Sequence, residues 1–336
     1  MPEYRAIRAG HTLLDIIANA ELAAEVTLQP IEALGVDAAI IFADILPPLV
    51  PMGMQLEFAA GEGPILHNPL RDRASIEALR PIVPEESLKP TLDAISIVRR
   101  ELDDKVALIG FAGGPFTLAS YAIEGGSSRD YRLTKTLMYS EPDTWALLMD
   151  KIATMTADYL RAQVRAGAQC IQLFDSWAGA LAPEDYRRYV LPATQRIVRA
   201  VLPDGVPVIV FGTNTSGMLD IVAEAGSTVV GVDWRIPLDR AWKIVGHDRA
   251  VQGNLDPLVL FAPLPEVESR VHDILRRAGG RPGHIFNLGH GVLPQTAVET
   301  VRAVVEMVHE VDVSDQPAAS SSPTRPIAVP SNQADG

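Results

Sequence analysis

The stretch QCIQLFDSW, residues 169–177, is one of seven short apolar segments that decide the fold of this chain. Each segment is rich in β-branched or other apolar residues, and each ends in polar residues or glycine. Amphipathic stretches rich in Ala and Leu separate most of them, so the pattern predicts parallel strands, buried on both faces, that alternate with helices. The other six segments are DAAIIFADIL (37–46), KVALIGFAGG (105–114), PVIVFGT (207–213), TVVGVDW (228–234), RAVQGNL (249–255) and HIFNLGH (284–290).

Seven strand–helix units with polar strand ends predict a (β/α)8 barrel of the TIM type, with its active site at the carboxyl ends of the strands. Such a barrel has eight strands, and these segments supply one fewer. The chain opens on PEYRAIRAG (2–10) and continues into a helical stretch near 12–34, as though it began after the first strand. We therefore expect an α/β barrel that lacks its first strand.

The domain organisation is predicted to be simple. Residues 1–312 show no break in composition and are expected to form one domain. Within it, the segment 46–70 is a long excursion rich in Pro and Gly, and loops of this length in a compact domain are usually functional. Residues 313–336 consist largely of Pro, Ser and Ala without an apolar period, so we expect a disordered tail there.

Composition excludes several classes of function. With 336 residues, of which 47% are hydrophobic, the chain can bury one large core, and its net charge of −13 argues against a nucleic-acid partner. We see neither an apolar run long enough to span a membrane nor a signal peptide. Cys170 is the single cysteine, which excludes an internal disulfide and any Cys-pair metal site. We expect a cytoplasmic protein.

Position alone makes several strand-end residues candidates for chemistry. Asp44 ends the first segment among apolar neighbours, so its carboxylate should be partly desolvated at the end of a barrel strand where catalytic groups lie. His290 ends the last segment between two glycines, which suits close approach of a ligand to the backbone. Asp233 and Asn254 end their segments in the same manner. No Walker loop, zinc spacing or helix-opening GxGxxG is present.

Two further groups of residues allow more than one interpretation. Asp175 and Ser176 close the strand CIQLF, where small polar residues can serve a site or cap a helix. Residues 113–115 predict a tight turn with backbone N–H groups at a helix N-terminus, which is a weakly specific anion site. Tyr121 lies about two turns into that helix, and its spacing alone is typical of a packing aromatic.

Six segments, in this order along about 1–310, resemble the uroporphyrinogen decarboxylase family. The resemblance implies a single-domain barrel that forms homodimers and needs no cofactor. It also implies removal of carbon dioxide from the four acetate side chains of uroporphyrinogen III, which gives coproporphyrinogen III for haem and chlorophyll synthesis. The segments are ELAAEVTLQPIEALGVDAAIIFADILPPLVPMGM, GPFTLASYAIEGG, FDSWAGALAPEDYRRYVLP, VVGVDWRIPLD, AVQGNLDP and HIFNLGHGVLPQT.

The resemblance also implies roles for individual residues. Asp44 in FADIL matches the family aspartate that reaches the centre of the macrocycle. Tyr121 in ASYAIEGG matches an active-site tyrosine, Ser176 in DSWAG a serine or threonine of the cleft, and His290 in NLGHG the cleft histidine. Arg8 in PEYRAIR matches an arginine just past the first family motif. The proton donor stays open among an arginine, Tyr121, His290 and a held water molecule.

The chain departs from the family pattern at its start. The family opens with a strand that reads roughly WFMRQAGRYMPEYR, and Met1 coincides with the methionine of RYMPEYR. The strand missing from the barrel count is therefore the one missing from the resemblance, and its arginines are obvious partners for an anionic substrate. We expect this chain to bind that substrate poorly.

Two alternative functions remain open from the sequence. One is a corrinoid-dependent methyltransferase of the same barrel superfamily, which the single Cys170 argues against because such enzymes usually hold zinc through His and Cys. The other is an inactive porphyrinogen-binding protein. The absent arginines favour it, whereas the intact set of Asp44, Tyr121, Ser176 and His290 opposes it.

Overall fold

The strands of the computed structural model, which describes residues 1–59 and 63–311, fall into two sheets. One is a seven-stranded parallel sheet with the order β1-β4-β5-β6-β7-β8-β9, and the other is an antiparallel hairpin of β2 and β3. The strands are β1 Ala38–Ile40, β2 Leu56–Ala59, β3 Gly63–Leu66, β4 Ala107–Gly113, β5 Cys170–Phe174, β6 Val208–Phe211, β7 Val229–Gly231, β8 Ala250–Leu255 and β9 His284–Leu288.

Helices connect the parallel strands and cover the outside of the sheet. Short 3-10 turns at Pro47–Leu49, Ala178–Ala180, Leu202–Asp204 and Pro257–Phe261 complete the connections. The helices are α1 Pro2–Gly10, α2 Leu13–Ile17, α3 Ala20–Leu34, α4 Arg73–Glu77, α5 Pro84–Ser87, α6 Lys89–Leu102, α7 Pro115–Glu124, α8 Arg132–Ser140, α9 Pro142–Ala166, α10 Pro183–Tyr189, α11 Leu191–Val201, α12 Leu219–Ala223, α13 Leu238–Val245, α14 Leu264–Ala278 and α15 Val298–Glu310.

All seven predicted segments form parallel strands, which confirms the α/β barrel with seven of its eight places filled. Within the described ranges, β1 and β9 each pair with one neighbour and not with each other. An apolar cavity of about 940 Å3 is lined by both of these strands together with α3 and α15. The curled sheet is therefore open at one place, between β1 and β9.

The strand register shows which side chains face the barrel interior. Phe111 pairs with Gln172 and Phe174 with Phe211, and residues paired in this way share one face of the sheet. The Gln252 side chain donates a hydrogen bond to Oε1 of Gln172 at 3.3 Å, although their strands are not neighbours, so this face is the interior. The rings of Phe111 and Phe174 and of Phe174 and Phe211 make edge-on contacts, with ring centroids 5.4 and 6.1 Å apart.

The long segment 46–70 is held against the barrel. It contains the β2–β3 hairpin, which the sequence analysis did not predict, and backbone hydrogen bonds fix its end. The amide of Leu66 donates to the carbonyl of Gly125 at 2.8 Å, and that of Leu70 donates to the carbonyl of Ala122 at 2.8 Å. The segment therefore packs beside α7. The predicted tail, residues 313–336, lies outside the described residues.

Over the described ranges, we find no helix that combines the length and the apolar character needed to cross a membrane.

Candidate active site

Asp44 lies just past the carboxyl end of β1, where the interior of the barrel opens. The side chain is half-buried, and its Oδ1 accepts a hydrogen bond from the amide of Leu46 at 2.9 Å. Burial raises the pKa of Asp44 above its ordinary value, and the amides of Leu46 and Ile45 oppose that change. The Asp44 carboxyl is therefore partly removed from water, as its apolar sequence neighbours predict.

Tyr121 packs against Trp177 and also lies within electrostatic reach of Asp44. The two rings stack with centroids 4.0 Å apart, and the ring of Tyr131 lies 5.3 Å from that of Trp177. Burial, followed by the charge of Asp44, raises the pKa of Tyr121 to about 12. Tyr121 is thus a packing aromatic whose hydroxyl stays protonated near the Asp44 carboxylate.

Asp175 turns away from the mouth and caps the N-terminus of α7. Its Oδ1 accepts from the amide and hydroxyl of Thr117 at 2.8 and 2.7 Å, and its Oδ2 accepts from the amide of Phe116 at 3.2 Å. Gly114 makes this approach possible, because a Cβ there would lie 2.3 Å from the Cβ of Asp175. The predicted anion site is therefore filled by the protein's own carboxylate.

Ser176 follows that cap and connects the ends of β5 and β6. Its carbonyl accepts a hydrogen bond from the Thr213 hydroxyl at 2.5 Å, and Ser176 itself is half-buried. The next amide, that of Trp177, donates to the Thr117 hydroxyl at 3.1 Å. The backbone around Ser176 is consequently tied to both neighbouring elements, and the residue keeps the strand-end position that the sequence predicted.

His290 follows the end of β9, and its ring lies near the end of β6. Its ring centroid is 6.4 Å from that of the interior residue Phe211. Although the residue is exposed, desolvation by the surrounding protein lowers the pKa of His290; the charge of Arg235 lowers it further, and Asp233 opposes this. The imidazole is therefore neutral at neutral pH.

Arg235 is a charged residue of the mouth that the sequence analysis did not single out. Its Nη1 donates to Oδ2 of the buried Asp233 at 2.5 Å, and its guanidinium lies 4.2 Å from the centre of the Trp234 ring. The sequence signal was available in VVGVDWR, where an arginine follows a strand-end aspartate by two residues.

Arg8 lies on the exposed surface of α1. Its Nη1 donates to the carbonyl of His11 at 2.6 Å, and among the described residues it makes no hydrogen bond to the other predicted site residues. The helix itself lies beside the end of β1, because the rings of Tyr4 and Phe42 are 5.6 Å apart. The role of Arg8 in the cleft stays a prediction.

The carboxyl ends of the strands therefore carry two pairs of groups: the Asp44 carboxyl with the Tyr121 phenol, and the Arg235 guanidinium with the His290 imidazole. In the described part of the chain, no group of three or more His, Cys, Asp or Glu side chains is placed to hold a metal ion. These groups can accept hydrogen bonds from N–H donors, donate hydrogen bonds and bind a carboxylate.

Known proteins match this chain over nearly the whole described region. The family model for uroporphyrinogen decarboxylase (URO-D) matches residues 1–311. A uroporphyrinogen decarboxylase of Sorangium cellulosum is 59% identical over 311 residues, which cover 93% of this chain and 89% of the relative. The uroporphyrinogen decarboxylase of Chloroflexus aggregans is 56% identical over 312 residues, covering 92% and 87% of the two chains.

A solved structure supports the fold independently of close sequence similarity. A methyltransferase from Methanosarcina mazei superposes with a TM-score of 0.76 at 20% identity, and the match covers 89% of this chain and 90% of that one. At this identity the likeness concerns the barrel alone. The family model and the two sequence relatives carry the assignment: the chain belongs to the uroporphyrinogen decarboxylase family.

Proposed function

We propose that this chain is a decarboxylase that converts uroporphyrinogen III to coproporphyrinogen III by removing carbon dioxide from four acetate side chains. Its family and its relatives, at 59% and 56% identity, support this activity. The structural observation that carries the proposal is the desolvated Asp44 carboxylate at the mouth of the barrel, within electrostatic reach of Tyr121.

The reaction needs an electron sink next to each acetate. A proton added to the pyrrole ring supplies one, because the bond to the carboxyl carbon can then break and its electron pair can neutralise the ring cation as carbon dioxide leaves. A second proton adds to the methylene carbon, and the first leaves the ring. Each acetate thus becomes a methyl group with net uptake of one proton and release of one carbon dioxide.

Asp44 is suited to stabilise the cation. A porphyrinogen presents four pyrrole N–H donors toward its centre, and an ionised carboxylate can accept several of them. In a site with little water, the negative charge of Asp44 would oppose the positive charge that develops on the ring. The same N–H donors favour the ionised carboxylate, and so offset the desolvation that raises its pKa in the free protein.

The neighbouring side chains supply hydrogen bonds in defined protonation states. Tyr121, with a pKa of about 12, keeps its proton and can donate a hydrogen bond at neutral pH. His290 is neutral and can donate through one ring nitrogen and accept through the other. Ser176 and Arg8 complete the proposed substrate contacts. Asp44 acts in this proposal as an ionised carboxylate and need not donate the first proton.

The wider setting of the enzyme forms part of the same proposal. The small-molecule substrate follows from family membership. The homodimer and the cytoplasmic location are expectations from the sequence and its resemblance, and sedimentation velocity of the purified protein tests the first of them. No observation favours the methyltransferase, since the Methanosarcina mazei structure shares only the fold at 20% identity.

The test of the proposed function is anaerobic incubation of the folded chain with uroporphyrinogen III. Oxidation of the products and chromatography should show porphyrins with seven, six, five and finally four carboxyl groups, in step with release of carbon dioxide. Heat-denatured protein is the control. A folded chain that leaves the octacarboxylate unchanged would contradict the proposal.

A further inference from the structure

Arg235 places a positive charge at the carboxyl end of a strand far from the one that carries Asp44. It follows the end of β7, and β7 lies four places from β1 in the strand order. In a circle of eight places, four places separate opposite sides. The two groups therefore follow strands that are well separated in the sheet, so that a porphyrinogen whose central N–H groups met Asp44 could extend a peripheral carboxylate toward Arg235.

The guanidinium of Arg235 is held by one hydrogen bond, and most of its N–H donors make no hydrogen bond to the described residues. It donates one hydrogen bond to Asp233, whose side chain is 1% exposed, whereas 41% of the Arg235 side chain is exposed. An arginine carries five N–H donors. Among the described residues the Arg235 side chain donates to this one carboxylate, so the remaining donors are available to a ligand.

The orientation of Arg235 is fixed before any ligand arrives. One face lies over the Trp234 ring at 4.2 Å, and its partner Asp233 is held by the amides of Asn214 at 2.5 Å and of Arg235 at 3.1 Å. A pre-oriented guanidinium loses less conformational entropy on binding than a free side chain would.

The turn that contains Gly289 and His290 packs against the backbone of Asp233 and Trp234. A Cβ on Gly289 would be 2.8 Å from the amide nitrogen of Trp234, so only glycine allows the two backbones to pack this closely. The charge of Arg235 accordingly lowers the pKa of His290. A carboxylate bound to Arg235 would lie beside a neutral imidazole, which can donate a second hydrogen bond to it.

A local cation is needed because the chain as a whole repels its proposed substrate. The net charge is −13, and uroporphyrinogen carries eight carboxylates on its periphery. Binding must therefore depend on positive groups gathered at the site. Arg235 offers the planar fork that matches a carboxylate in two-point contact.

We propose that Arg235 is a substrate-binding residue that holds a peripheral carboxylate of the porphyrinogen on the β7 side of the mouth. This inference rests on the proposed function. Arg235 lies within the segment VVGVDWRIPLD, but neither the strand-end candidates nor the individual roles implied by the resemblance included it.

The test compares Arg235→Gln and Arg235→Lys with the wild-type enzyme. We expect Arg235→Gln to raise KM about tenfold or more, as loss of a charge-assisted contact does, while kcat changes less than threefold. Arg235→Lys should fall between the two, because it keeps the charge and loses the fork. Raising the salt concentration should weaken binding more in the wild type than in Arg235→Gln.

Arg161→Gln is the matched control, because Arg161 is 43% exposed and also paired with a carboxylate, that of Asp204. It should leave KM unchanged. If Arg235→Gln does not fold because the buried Asp233 charge is left alone, the double variant Asp233→Asn with Arg235→Gln repeats the comparison. An active wild type with unchanged KM in the variants would overturn this inference, whereas an inactive wild type would overturn the proposed function instead.

Discussion

The Asp44 carboxylate is unfavourable to bury. Its pKa is raised by desolvation, so in the free protein the ionised form is less stable than it would be in water. Hydrogen-bond donors of a bound ligand can offset this desolvation free energy when they reach the carboxylate. The pyrrole N–H groups are donors of this kind.

The raised pKa predicts the pH dependence of the enzyme. Because Asp44 must be ionised to accept the pyrrole N–H groups, kcat/KM should fall as the pH is lowered through the raised pKa, above the range of an ordinary aspartate near 3.9. Substrate carboxyls titrate in a similar range. The pKa of the Asp44 carboxyl should therefore be measured directly in the ligand-free protein by a 13C NMR pH titration. The Asp44 signal is identified as the one present in the wild type and absent from Asp44→Asn. An ordinary or lowered value would contradict the account.

The same group links stability to pH. Since the folded pKa of Asp44 lies above its unfolded value, ionisation destabilises the fold at pH values above the unfolded pKa. Asp44→Asn should therefore melt at a higher temperature than the wild type at neutral pH. The difference should vanish as the pH falls below the unfolded pKa, where both side chains are uncharged. Calorimetry at several pH values measures this, and a less stable variant at neutral pH would contradict it.

At the scale of the element, α7 is held to the barrel by one small network. The Thr117 hydroxyl donates to Asp175 at 2.7 Å and accepts from the amide of Trp177 at 3.1 Å. Since α7 carries Tyr121, which stacks on Trp177, the network fixes the positions of these two rings relative to each other. Positioning of the site thus depends on a buried contact outside it.

Removal of that hydroxyl should destabilise the protein. Thr117→Val leaves buried Asp175 and Trp177 groups with one partner fewer, at a cost of about 1–3 kcal/mol. Thr136→Val is the control, because its hydroxyl bonds the carbonyl of Arg132 on an exposed helix face. Urea unfolding measures both. Equal effects of the two substitutions would show that the network contributes no more than a surface hydrogen bond.

In the part of the chain that the structure describes, β1 and β9 each have one edge without a strand partner. Ile285 of β9 is 40% exposed beside the cavity between β1 and β9, and exposed strand edges promote association between chains. Ile285→Lys should slow aggregation of the concentrated protein, because a charge on such an edge opposes pairing. Val83→Lys, at a residue 52% exposed elsewhere, is the control for added charge. Light scattering should show slower growth of large species for Ile285→Lys alone.

The elements differ in how far their sequences predict them. All seven parallel strands could be read from continuous apolar runs, because strands buried on both faces leave that signature. The β2–β3 hairpin could not be read, since its strands Leu56–Ala59 and Gly63–Leu66 are short and lie in a segment interrupted by Pro and Gly.

At the scale of the whole molecule, long-range partners mark the limit of sequence reasoning. Asp175 was recognised as a cap or a site residue, but its partner Thr117 lies 58 residues earlier, and spacing does not reveal which helix a carboxylate reaches. Arg235 and His290, which follow β7 and β9, are likewise brought together only when the strands pair in the sheet. Asp44 could be predicted, because its chemistry follows from its own strand end.

At the scale of the whole molecule, the negative net charge of the chain opposes binding of an anionic substrate. A chain of net charge −13 repels a substrate with eight carboxylates, so we expect the site to supply its own cations for the substrate periphery. In the proposed mechanism, the negative charge of Asp44 opposes the positive charge that develops on the pyrrole ring. We therefore expect substitution of Asp44 to change the rate more than the affinity.

The most direct test of the central claim compares turnover of uroporphyrinogen III by the wild type and by Asp44→Asn under anaerobic conditions, with circular dichroism to confirm the fold of both. We expect coproporphyrinogen from the wild type and a kcat lower by about 100-fold or more in the variant, as for loss of a group that stabilises transition-state charge, with a smaller change in KM. A folded Asp44→Asn protein that forms coproporphyrinogen at a near-normal rate would contradict the account.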